Sequence, residues 1–350
     1  MKFGPVPLEQ AQGKILGHHI AGPSGQRAFR KGKPLTGEDI QGLAELGRQM
    51  VYVAEMEPDD IPEDAAAQRV ARAVAGHGLR SSGAHVGRVN VQAETLGLLK
   101  VDAERLVRLN ECEGITLATV ANNSVAAAGK TVATVKIIPF GVPGSDVTMA
   151  EAVAAAGDAV ISLVPLLPRS VSLVLSGSPA VGERVVENFA PPLRERVQAL
   201  GSEISSMDYV PLEDDQGEAE LAEVLVNQVK AGAELIILAG ETAIMDRYDI
   251  APRAIECAGG QVICFGAPVD PGNLLMLAYL RDVPILGSPG CARSPKVNVI
   301  DWVLPRLLAG ERLARQDILA LGHGGLLEDT PLRPVSRRIP PSDALRRRPP

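Results

Sequence analysis

Between residues 168 and 310, apolar residues fall into short, nearly unbroken runs separated by amphipathic stretches. The runs at 171–175, 235–238, 262–265 and 283–286 read as buried strands, and 203–210 as another. Helical periodicity follows 175 to about Leu200, where Pro191-Pro192 predicts the first turn of a new helix. Further helices are expected at 218–230, at 252–258 with a C-cap at Gly259-Gly260, and at 297–308 ending at Gly310. Strands spaced by helices predict an α/β sheet with helices on both faces. The strand ends then carry Ser176-Gly177-Ser178, Ala239-Gly240-Glu241-Thr242 and Gly287-Ser288-Pro289-Gly290 on one edge, where such sheets bind ligands.

The first 165 residues are less regular. A helix N-capped by Thr36, with Glu38 and Asp39 in its first turn, is expected. A strand at 50–54, an alanine-rich helix at 65–75 and a helix at 103–109 follow. Short β runs at 115–120 and 130–138 flank a turn at Asn122-Asn123. This half reads as an irregular α+β or β-rich region. The domains expected are 1–165, an α/β domain at 166–325 and an Arg/Pro-rich, disordered tail at 326–350.

Composition narrows the function. Aromatic residues are only 3 %, which argues against a base-stacking nucleic-acid platform. The net charge is −7 overall and +5 over the last twenty residues, leaving −12 for residues 1–330. An acidic body disfavours unspecific nucleic-acid binding but not a small anion in a local pocket. There is no signal-peptide pattern and no apolar run of membrane-spanning length, so a soluble, cytoplasmic protein without membrane contact is expected. Cys112, Cys257, Cys264 and Cys291 form no CxxC pair; Cys257 and Cys264 read as buried thiols. His18-His19 and His77 with His85 lack the spacing of a helical metal pair and read as loop or surface residues.

The richest segment is 283–296. An apolar strand stops at Gly287-Ser288-Pro289-Gly290, a helix is expected to open near Pro295, and Arg293, Ser294 and Lys296 add donors. This is either an anion-binding junction or an ordinary βα turn. Asp246 and Asp249 lie three apart ahead of a helix. They suit Mg²⁺ bridging phosphates, and Asp249 equally suits N-capping. Glu241 stands closer to the strand end. Asp270 is placed either to accept from a heterocycle's N–H groups or to stabilise its own turn.

The succession Leu175-Ser176-Gly177, Ala239-Gly240-Glu241-Thr242 with Asp246, Asp249 and Pro252, Asp270-Pro271-Gly272-Asn273 and Gly287-Ser288-Pro289-Gly290 resembles the molybdopterin-binding domain of molybdenum cofactor biosynthesis. Gly13-Lys14-Ile15-Leu16 and 31–53 are similar to the leading region of molybdotransferases. The whole chain most resembles a subgroup often fused to a cofactor nucleotidyltransferase domain. The loops depart from the family pattern: the middle loop reads Ala-Gly-Glu-Thr, the Asp270 turn lacks a lysine, and Cys291 stands where the family has asparagine.

The resemblance implies a three-layer α/β/α sandwich around a mixed sheet. It implies molybdopterin as ligand, with Mg²⁺ and either ATP or molybdate as companions. Ser176, Gly287, Ser288, Pro289 and Gly290 would face a phosphate, with Gly240, Thr242, Cys291 and Ser294 in the same loops. Asp270 and Asn273 would lie near the pterin. Asp249 would act through Mg²⁺, beside Asp246 and Glu241 as catalytic carboxylates. The activity implied is a transferase that inserts molybdate or adenylylates the pterin. The alternative is a non-catalytic carrier that feeds a separate nucleotidyltransferase or an apo-molybdoenzyme, and a third reading is a pyridine-nucleotide hydrolase on the same domain. A homo-oligomer is also implied.

Overall fold

The computed structural model describes residues 1–212 and 215–327. The expected tail lies outside them from residue 328 on. The chain divides into two compact units, Met1–Pro165 and a second beginning at Leu166.

The first unit opens with a three-stranded antiparallel sheet ordered Lys2–Pro7, Met50–Glu55, Ile15–Leu16. Leu8, Leu16, Leu43, Val51 and Val53 bury one small core. The helix Gly37–Glu45 begins in a capping box: Thr36 Oγ1 accepts from Asp39 N at 3.2 Å, and Asp39 Oδ2 accepts from Thr36 N at 2.9 Å. A larger core lies further along. There Glu63–Val74 buries Ala66, Ala67, Val70, Ala71 and Val74 against the four-stranded sheet containing Arg88–Ala93, Ile115–Thr119 and Thr131–Ile137. Small alanines let this helix lie close to the sheet. His18, His19, His77 and His85 are all exposed.

The second unit is an α/β sandwich with a mixed six-stranded sheet. Its strands are β1 (Ser170–Gly177), β2 (Glu203–Pro211), β3 (Leu235–Gly240), β4 (Gln261–Phe265), β5 (Met276–Leu280) and β6 (Val283–Gly287). The spatial order is β2-β1-β3-β6-β5-β4. β1, β2, β3 and β6 run parallel, while β5 is antiparallel to both of its neighbours. β1 and β3 are buried almost throughout, as central parallel strands covered on both faces must be.

Its described helices include α1 (Gly182–Ala199), α2 (Asp215–Lys230), α3 (Ile250–Cys257), α4 (Ile300–Leu308) and a short α5 (Arg315–Leu319). Leu221 and Leu225 of α2 and Ala254 and Ile255 of α3 share one cluster with Val174, Ile236, Leu238 and Ile285 of the sheet. The alternate residues Leu173, Leu175, Ile237 and Leu286 point to the opposite face.

Four expectations are corrected. Pro191 and Pro192 do not start a helix; they lie inside the continuous α1. The stripe Val185, Phe189, Leu193, Val197 stays buried straight through them. Pro191 is exposed, so carbonyls deprived of an N–H on that side meet water. The helix expected over 297–308 opens at Ile300 rather than near Pro295. Asn298 sets its start, because Oδ1 accepts from Ile300 N at 3.0 Å and its own N–H donates to Asp301 Oδ2 at 2.8 Å. β5 is an additional strand, an apolar run whose lack of periodicity hid it. Cys257 is exposed, because α3 turns Ala251, Ala254 and Ile255 inward and its last residue outward.

Candidate functional site

The carboxyl ends of β1, β3 and β6 meet on one edge. Ser176 pairs with Gly240, and Leu238 with Gly287. Between them lies a pocket of about 190 Å³, lined by Ser176, Ser178, Glu241, Thr242, Asp249 and Ser288 with an apolar wall that includes Leu212, Leu238, Ile244 and Ile250. Glycine is required at the crossing point. A Cβ on Gly240 would sit 2.9 Å from Ser176 Oγ and 3.1 Å from the Ser176 carbonyl oxygen.

The loop after β1 is held from two sides. Glu241 Oε2 accepts from Ser178 N and from Ser178 Oγ, each at 3.0 Å. Tyr209 Oη, on β2, donates to the Ser178 carbonyl at 2.8 Å. The Ser178 backbone N–H is the main reason the Glu241 carboxyl is held below the usual range, followed by the Ser178 hydroxyl. Burial, and then the Glu241 charge, push the Tyr209 phenol up.

Ser288 ends the strand side of the pocket. It is 5 % exposed, and its Oγ is buried with no hydrogen-bond partner. Its backbone N–H is used by Leu238 O at 2.7 Å. A buried hydroxyl without a partner costs free energy unless something else completes it, and Ser288 is one of the residues lining the cavity.

The aspartates of the next loop serve that loop. Asp249 Oδ1 accepts from Ile250 N at 2.8 Å and Oδ2 from Met245 N at 3.1 Å. It caps α3 and lines the pocket. Asp246 is exposed and accepts from Tyr248 N at 2.8 Å, outside the pocket lining. Among the described residues no group of three or more His, Cys, Asp or Glu has a metal-holding arrangement. Glu241 and Asp249 are the carboxylates of the lining, and a Mg²⁺ ion there would rest on one or two of them together with oxygens of the ligand.

Of the expected site residues, Ser176, Gly240, Glu241, Thr242, Asp249 and Ser288 line the pocket, while Asp246, Asp270, Asn273, Gly287, Pro289, Gly290, Cys291 and Ser294 do not. Gly287 is packed beneath it, with a Cβ position 2.7 Å from Met276 Cβ. Asp270 and Asn273 are exposed, and the Asp270 backbone pairs with Gly325 and Leu327. Gly290–Arg293 forms a single 3₁₀ turn rather than the N-terminus of a long helix. Arg293 donates to the Gly290 carbonyl at 2.9 Å, and its guanidinium lies 5.4 Å from the Phe189 ring centroid. Burial raises the pKa of the half-buried Cys291 thiol, which keeps it protonated near neutrality.

Arg196 had no signal in the sequence. From α1 it donates to the carbonyls of Ala292 at 3.2 Å, Ser294 at 2.8 Å and Lys296 at 3.0 Å, and it pairs with Asp301 at 3.0 Å. It sets the course of the 290–297 segment by filling carbonyls that helical N–H groups would otherwise take.

A family model described as "Domain of unknown function (DUF8806)" matches residues 5–55. No curated protein matches the chain. The solved structures that are similar at low levels include two from Pyrococcus species. One is a molybdenum cofactor biosynthesis protein from Pyrococcus furiosus, at 12 % identity and a TM-score of 0.24, covering 89 % of this chain and 66 % of that one. The other is a molybdopterin biosynthesis MoeA protein from Pyrococcus horikosii, at 14 % identity and a TM-score of 0.30, covering 88 % of this chain and 75 % of that one. The chain thus spans just under two thirds of the length of the first. Among the described residues no helix is long and apolar enough to cross a membrane.

Proposed function

We propose that the unit beginning at Leu166 binds a molybdopterin-type ligand at the carboxyl edge of its sheet, in molybdenum cofactor biosynthesis. The observation that carries this reading is Ser288 Oγ, buried and unpartnered in a pocket built from the loops whose sequence resembles the molybdopterin-binding domain. A ligand atom there supplies the missing partner.

The transferase reading needs a carboxylate free to hold Mg²⁺ or position a reacting group. Asp249 has both oxygens taken by backbone N–H groups of its own loop, and Asp246, with one oxygen so used, stands outside the pocket lining. This favours binding without turnover: a carrier that presents the cofactor to a separate nucleotidyltransferase or an apo-molybdoenzyme. Homo-oligomerisation is part of the same proposal.

Calorimetric titration of the purified chain with molybdopterin, with and without Mg-ATP and molybdate, tests it. Binding indifferent to both additions is expected. Conversion of the pterin that depends on either one restores the transferase. Absence of molybdopterin binding removes the whole reading.

A further inference from the structure

We infer that the pocket receives the uncharged, amine-bearing heterocyclic end of its ligand and leaves any phosphate outside. This rests on the ligand-binding reading above and reverses the orientation that the loop resemblance implies.

Among the described residues the lining holds two carboxylates, Glu241 and Asp249, and no lysine, arginine or histidine. Two nearby cations are turned elsewhere: Arg293 of the neighbouring loop lies over Phe189, and Arg196 of α1 is occupied by carbonyls and Asp301. Arg184 acts on Glu241 only as the weakest of its influences, after the Ser178 contacts and desolvation. A phosphate dianion in this space would face two like charges with no cation among the described lining residues to offset them.

The same groups suit a heterocycle with exocyclic amine and ring N–H donors. An ionised carboxylate has about four acceptor positions. Both bonds that Glu241 receives from Ser178 go to Oε2, which leaves Oε1 to accept from a ligand. Ser288 Oγ can donate to a ring nitrogen or accept from an amine. Leu212, Leu238, Ile244 and Ile250 offer apolar surface to the faces of a flat ring. A phosphate has no use for that surface. The volume of about 190 Å³ leaves room for one small ring system.

The test is titration of the full chain with 2-amino-4-oxopteridine, which carries no phosphate, in the absence and presence of excess inorganic phosphate. Binding that phosphate does not displace is expected. Ser288→Ala and Glu241→Gln should each weaken it about tenfold. Ser288→Ala removes only an unpartnered hydroxyl, so its melting temperature should not fall, which separates lost binding from lost folding. If inorganic phosphate binds with Ser288 dependence and displaces molybdopterin while the pteridine does not bind, the inference is overturned and the ligand-binding reading stands. If molybdopterin itself fails to bind, both fall together.

Discussion

Glu241 and Ser178, 63 residues apart in sequence, are joined twice: one carboxylate oxygen takes both the backbone N–H and the hydroxyl of Ser178 at 3.0 Å. This links the loops after the first and third strands and forms one side of the pocket.

The linkage has a pH dependence. The ionised carboxylate is the form that Ser178 stabilises, so the folded-state pKa of Glu241 lies below its ordinary value. The stabilisation is complete above the ordinary glutamate range and is lost as pH falls through the lowered value. Melting temperatures of wild type and Glu241→Gln should therefore differ at neutral pH and converge in acid. A gap that widens on acidification contradicts the assignment.

Gly177 is the space through which this contact passes. A Cβ there would sit 2.8 Å from Glu241 Cβ and 3.0 Å from Tyr209 Oη. Gly177→Ala should cost about 1–3 kcal/mol, read from the urea midpoint. An unchanged midpoint would mean that the two loops part without loss.

Arg196 carries the 290–297 segment. Its side chain is 10 % exposed and paired with Asp301. Arg196→Leu leaves Asp301 and several carbonyls without their partner and should cost about 3–5 kcal/mol in equilibrium unfolding. A loss below about 1 kcal/mol, the scale of an exposed pair, would show that the segment holds its course unaided.

The thiols should separate by burial. Cys257 is exposed, while Cys112, Cys264 and Cys291 all have their pKa raised, burial being the first cause in each. Iodoacetamide at neutral pH should modify Cys257 first, with the others following only on unfolding. Rapid modification of Cys291 in the native protein would show a thiolate that this environment does not favour.

In the first unit, Thr36→Ala removes half of a capping box and should cost about 1 kcal/mol. Chemical denaturation followed by circular dichroism measures it, and no change would mean Asp39 holds the turn alone.

What was legible in the sequence was local. Thr36 with Asp39 three residues later marks a helix start because both hydrogen bonds close within one turn. Gly259, at φ +83°, marks the end of α3 because few other residues adopt that conformation readily. The apolar runs at 171–175 and 235–238 identified the central strands, since a strand covered on both faces must be apolar throughout. The small-residue loops after them identified the edge where the pocket lies.

Tertiary structure decided the rest. Pro191 and Pro192 stay inside α1 because the stripe beneath them is buried against the sheet, and packing outweighs local propensity. Arg196 reaches carbonyls about a hundred residues away, a relationship no local pattern encodes. The carboxylates of Asp246 and Asp249 could have pointed to a metal or to their own backbone, and only the folded loop directs them to the backbone. In the sequence Ser288 belongs equally to an anion-binding junction or an ordinary βα turn, and only the closed sheet leaves its hydroxyl buried without a partner. Local conformation follows from short-range sterics and hydrogen bonds, which a sequence displays. The chemistry of the pocket depends on which groups remain unsatisfied after distant strands have met.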